Sequence, residues 1–222
     1  MIVRLPHNKI DLALHRLAEG SGDCQPLLIL HGLGEETGST IPLPWDTWPG
    51  AVWGLDFTGH GHSTVPSGGG YTCEVLASDV DIALGHIGPA TVVGRGLGAY
   101  VGLMTAAARP ELVRGFVIGD GPGLAGGSSG PGSGTWFAPA DADGSSPDPY
   151  ALFELSTDVR PADYAMGFLR LVLDHSDLVN PVTVTAKVMP PWLEAVADEP
   201  GVLRESAESA RDRYARGPKV NP

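Results

Sequence analysis

Apolar and polar residues alternate over residues 2–5 and again over 10–17, with Pro6-His7-Asn8 between them, which predicts an opening hairpin at a sheet edge. Alternation then gives way to continuous apolar runs at Leu27-Leu28-Ile29-Leu30 and over residues 51–56, 90–93 and 115–119. Such runs are the pattern of strands buried on both faces of a parallel sheet. Between them, residues 75–86 and 97–108 place apolar side chains at helical spacing. Strands alternating with helices imply right-handed crossovers, so the expected class is α/β, with a mostly parallel sheet flanked by helices.

The pattern changes after this. Residues 121–149 are dominated by Gly, Ser, Pro and Asp, with Trp136 and Phe137 as the aromatic exceptions, and read as a flexible loop. Residues 150–155, 161–173, 191–197 and 202–216 show helical periodicity or begin on helix-start prolines, so 150–216 is expected to be mainly helical and cap-like. The stretch Val182-Thr183-Val184-Thr185-Ala186-Lys187-Val188 has strand composition but runs on into Pro190-Pro191-Trp192. Two readings stay open: a helical layer over the sheet, or a sheet lacking its last strands. No internal repeat recurs, and residues 1–222 are read as one domain with a fraying tail from residue 217.

Charge narrows the partners. Fourteen Lys and Arg against 26 Asp and Glu give a net charge of −12, and the basic residues form no stripe, so no nucleic-acid surface is expected. The longest apolar stretch, near residues 100–108, is about half of what a bilayer span requires, so no membrane partner is expected either. Arg4, Lys9, Asp11 and Arg16 interrupt the first apolar segment, unlike a secretory leader, and the expected location is cytoplasmic. Cys24 and Cys73 fit no metal or redox spacing and read as free thiols. No metal or cofactor is called for, and the sequence does not speak to oligomeric state.

Three segments between about residues 20 and 125 carry the chemistry. The first, Leu27-Leu28-Ile29-Leu30-His31-Gly32-Leu33-Gly34, is a strand running into a glycine-rich turn. The second, Asp56-Phe57-Thr58-Gly59-His60-Gly61-His62-Ser63, is a tight turn after the next strand. The third, Val92-Val93-Gly94-Arg95-Gly96-Leu97-Gly98, lies between a strand and a helix. In this order and spacing they resemble the HGxG turn, the DxxGHGxS segment and the GxSxG nucleophile elbow of the α/β-hydrolase fold family. The resemblance implies a ligand pocket with oxyanion-type donors around Gly32, Leu33, Gly34, Gly96 and Leu97. It also implies a serine at position 96, where this sequence has glycine. Without a side chain Gly96 can neither attack a carbonyl nor be activated by a histidine.

The same GRGLG stretch, ahead of a helix, falls short of GxGxxG and lacks the Lys-Ser/Thr of a phosphate loop, so nucleotide binding is set aside. The family's acid and histidine follow late strands, whereas the last histidine here, His175, closes a predicted helix and reads as a carbonyl cap. Asp120 ends the strand 115–119 and reads as a turn cap or a functional carboxylate, while Glu35 and Glu36 read as solvated.

Whether the chain is an enzyme stays open at this point. The first expectation is a degenerate α/β-hydrolase-fold protein that binds a small apolar or acyl ligand. The second is a serine-independent hydrolase or lyase in which the Leu33 and Leu97 N–H groups act with His31, His60 or Asp120. The third is a partner-binding scaffold without a small-molecule site.

Overall fold

A computed structural model describes residues 1–123, 144–158 and 160–217. Most of the loop expected at 121–149, and all but the first residue of the tail expected to fray, lie outside them. Strands β1 (Ile2–His7) and β2 (Ile10–Ala18) form the expected antiparallel hairpin. They are followed by β3 (Leu27–Leu30), β4 (Val52–Asp56), α1 (Cys73–Ile87), β5 (Ala90–Arg95), α2 (Leu97–Ala108) and β6 (Val113–Gly119). Beyond these come α3 (Pro149–Thr157), α4 (Ala162–His175), β7 (Val182–Val184), α5 (Pro191–Asp198), β8 (Val202–Arg204) and α6 (Ala207–Ala215).

All eight strands lie in one sheet of order β1-β2-β4-β3-β5-β6-β7-β8. Every neighbouring pair from β4 to β8 is parallel, and β2 runs antiparallel to both β1 and β4. The last strands are therefore present, which corrects the reading in which they are missing. It also corrects the helical reading of 202–216. Val202-Leu203-Arg204 pair with Val182-Thr183-Val184, and the helix starts only at Ser206, whose hydroxyl accepts from the Ser209 N–H. Cross-strand pairing overrides local periodicity in a segment this short.

The continuous apolar runs are explained by two cores, one on each face. Leu28, Leu30, Trp53, Leu55, Val92, Phe116 and Ile118 point to the face covered by α1, α2, α4 and α5. Their neighbours Leu27, Val52, Val93 and Val117 point to the other, covered by Trp45, Trp48 and by Ala210 and Tyr214 of α6. The period-2 geometry of a strand demands this split. Helix α2 is buried at ten of its twelve residues, because it lies on β5 and β6 with α1 and α4 against its flanks. Its N-terminus is thereby held at the C-terminal ends of β3 and β5, where the turn containing Leu33 also lies. No helix among the described residues is long and apolar enough to cross a membrane.

Candidate functional site

Strand β5 turns into α2 through Gly96, which holds φ 54° and ψ −117°. This is a backbone conformation that side-chain-bearing residues adopt only at a cost of about 1–3 kcal/mol. As the residue preceding α2, Gly96 also offers no side chain to cap the helix, so the first N–H groups must find partners elsewhere. They find loop carbonyls. The Leu97 N–H donates to the Pro122 carbonyl at 3.0 Å, and the Gly98 N–H donates to the His31 carbonyl at 3.1 Å. Gly98 has to be glycine for that approach, since a Cβ there would lie 2.6 Å from the same His31 oxygen.

Leu33 completes the arrangement. Its N–H, on the turn after β3, also donates to the Pro122 carbonyl, at 2.9 Å. Two backbone donors from separate segments therefore converge on one carbonyl oxygen, and that oxygen belongs to the chain itself. Gly121-Pro122-Gly123, one residue after β6, is laid across the elbow so tightly that a Cβ on Gly96 would lie 1.9 Å from the Pro122 oxygen. Gly32 is equally confined, its missing Cβ 2.7 Å from the Pro122 ring and oxygen.

Charged residues brace this cluster. Glu35 accepts from the Gly32 N–H at 2.9 Å and pairs with Arg95 at 3.1 Å, while the Arg95 guanidinium also donates to the Asp120 carbonyl at 3.0 Å. Glu35 is thus an anchor of the turn, not the solvated side chain its loop position suggests. Next to Gly96 opens a cavity of about 440 Å³, lined by Ala99, Pro122, Val188, Pro190, Trp192 and Leu193 together with Asp120.

Solved structures share the fold over the length of the chain. A hypothetical protein from Pseudomonas aeruginosa PAO1 superposes with a TM-score of 0.64 over 97% of this chain and 97% of its own, at 20% identity. The thioesterase domain from the curacin biosynthetic pathway gives a TM-score of 0.65 over 97% and 98%, at 15% identity.

The chain has the α/β-hydrolase fold.

No family model matches the sequence. A stretch of 107 residues, 46% of this chain, is 33% identical to the sn-1-specific diacylglycerol lipase ABHD11 of Danio rerio, and the match spans only a third of that protein. Within the α/β-hydrolase fold a serine enzyme needs its acid and histidine on late loops. Here β7 is followed by Thr185-Ala186-Lys187 and β8 by Glu205-Ser206, and no histidine occurs after His175. His175 Nδ1 donates to the Leu171 carbonyl at 2.9 Å in the last turn of α4, the capping role expected of it.

The side chains of the three acid/base candidates make hydrogen bonds of their own. His31 is buried, with Nδ1 donating to the Gly32 carbonyl at 2.7 Å and Nε2 accepting from the Phe57 N–H at 3.1 Å. Burial, and then the neighbouring His60, push its pKa down to about 4, so the ring is neutral and both nitrogens are occupied. His60 is buried too, which lowers its pKa; its Nδ1 meets the Thr58 carbonyl at 3.2 Å, and its Nε2 has no hydrogen-bond partner among the described residues. Asp120 receives the Lys187 N–H at 3.0 Å and the Val188 N–H at 2.8 Å, so its carboxylate caps the loop after β7. Of the pocket residues expected, Gly32, Leu33, Gly96 and Leu97 come together around Pro122, and Gly34 supplies the turn's positive φ of 75°. Pro122 itself carries no motif. Its only signal in the sequence is a Gly-Pro-Gly triplet placed one residue after a buried strand.

Proposed function

We propose that this chain is a non-hydrolytic protein of the α/β-hydrolase fold that binds a small apolar or acyl ligand in the cavity beside Gly96. The observation that carries the reading is the Pro122 carbonyl, which takes both the Leu33 and the Leu97 N–H. Those are the donors that a hydrolase of this fold would aim at the oxyanion of its transition state. In this chain they hold a backbone oxygen in place, and position 96 has no space for a nucleophile. The cavity next to them is of ligand size and mainly apolar, with Trp192 and Leu193 as its walls. The Danio rerio relative is named for diacylglycerol lipase activity, which makes acylglycerols and fatty acids the first ligands to try.

Two measurements test the proposal together. A panel of p-nitrophenyl esters from acetate to decanoate is expected to show no turnover above buffer with the wild type. Gly96→Ser is expected to stay equally silent and to lose about 2–4 kcal/mol of stability through strain and overlap. Thermal melting with monoacylglycerols and fatty acids should show stabilisation of the wild type, on the order of 2.7 kcal/mol at a hundredfold excess over Kd. Val188→Trp, which fills the mouth of the cavity, should abolish that shift. Ester turnover by the wild type, or a melting temperature indifferent to every lipid tried, would refute the reading.

A further inference from the structure

On the far side of the sheet's central strands, three potential metal ligands converge where neither the elbow nor the cavity uses them. Asp56 ends β4 and is fully buried, His15 lies on the neighbouring β2, and His62 follows on the turn after β4. The Nε2 of His15 is 2.8 Å from Asp56 Oδ2, and the Nδ1 of His62 is 3.6 Å from the same oxygen. All three ligand atoms lie within 4.8 Å of one another, with the two imidazole rings 5.4 Å apart edge to face. No spacing in the sequence marks this group, because His15 and Asp56 are 41 residues apart and are joined only by the β2–β4 pairing.

The backbone around the cluster is fixed before any ligand arrives. Asp56 Oδ1 accepts from the Thr37 N–H at 2.7 Å, Oδ2 from the His62 N–H at 2.8 Å, and the Asp56 carbonyl from the Ser63 hydroxyl at 2.6 Å. Arg4 donates to the His62 carbonyl from the other side. The His62 ring, by contrast, is 55% exposed and stands too far from the carboxylate for a hydrogen bond, so it can swing without disturbing the turn. The result is a preformed buried carboxylate and imidazole with one movable imidazole open to solvent.

We propose that His15, Asp56 and His62 form a site for a divalent transition-metal ion of the zinc class. Two imidazoles and one carboxylate are a borderline donor set that suits zinc, cobalt or nickel better than calcium or magnesium. The ion takes His15 Nε2, Asp56 Oδ2 and His62 Nδ1, and water fills its outward-facing position. His15 then carries its proton on Nδ1 instead of Nε2, so its hydrogen bond to Asp56 is replaced by the two metal bonds. Such an ion would tie β2, β4 and the following turn together without touching the elbow.

Untagged protein stripped with EDTA and dialysed is titrated with ZnCl₂ by isothermal titration calorimetry, and with CoCl₂ while the visible spectrum is recorded. One Zn²⁺ per chain is expected. Both His62→Ala and His15→Gln should bind at least ~10-fold more weakly, and both should lose the cobalt absorption bands. His175→Ala, on α4, should bind as the wild type does. Circular dichroism of each variant separates loss of the site from loss of the fold, and His62→Ala, at an exposed ring, is the variant expected to fold unchanged. The site is overturned by a wild type that takes up no stoichiometric zinc, or by His62→Ala and His15→Gln binding as tightly as the wild type. Equal weakening in His175→Ala overturns it as well.

Discussion

Gly96 and His31 show how much a single position can disclose. The glycine at position 96 is plain in the sequence, but what lies over it is not, because Pro122 comes from the loop after a different strand and is brought there only by the β5–β6 pairing. His31 is the reverse case: its place after β3 reads as a catalytic candidate, and its two hydrogen bonds make it a structural post. That role has a pH signature. In the unfolded chain the ring takes up a proton below about 6.5, whereas in the fold burial and the adjacent His60 hold it neutral down to about 4. Because the folded pKa is the lower one, its contribution is intact above pH 6.5 and is lost as pH falls towards 4, by up to about 3 kcal/mol. His60, lowered by burial, adds in the same direction. Urea midpoints of the wild type should therefore fall, from pH 7 through 6 to 5, relative to those of His31→Gln. Identical slopes in the two proteins would show that His31 does not carry the effect.

Among the elements, legibility follows length and burial. Strands β3 to β6 and helices α1 and α2 stand out because their apolar runs fill both cores. β7 and β8 are three residues each, too short for any periodicity, and exist because β6 offers an edge to pair with. Asp120 is part of that extension, since its carboxylate receives the N–H groups of Lys187 and Val188 just beyond β7. Asp120→Ala should cost only about 1 kcal/mol, as the bonds are exposed to solvent. Its effect should be local, with faster amide exchange at Lys187 and Val188 and unchanged protection in α2. Accelerated exchange throughout the sheet would instead place Asp120 in the cooperative core.

For the molecule as a whole, the net charge of −12 sets a background of self-repulsion that no single ion pair cancels. Salt screens such repulsion between charges more than about 10 Å apart at 0.1 M. The melting temperature should accordingly rise between 10 mM and 300 mM NaCl, as read by differential scanning calorimetry; a fall would mean that the Arg–carboxylate pairs outweigh the excess of acid. The Pro122 contact has a different kind of reach, into descent. A side chain at position 96 and the Gly121-Pro122-Gly123 crossing exclude one another, so a lineage carrying both the glycine and the crossing cannot gain a side chain there by one codon change. It must first draw back a segment whose Pro122 carbonyl takes two amide groups, leaving both without that partner. The crossing works as a ratchet, holding the glycine in place for as long as the loop lies over it.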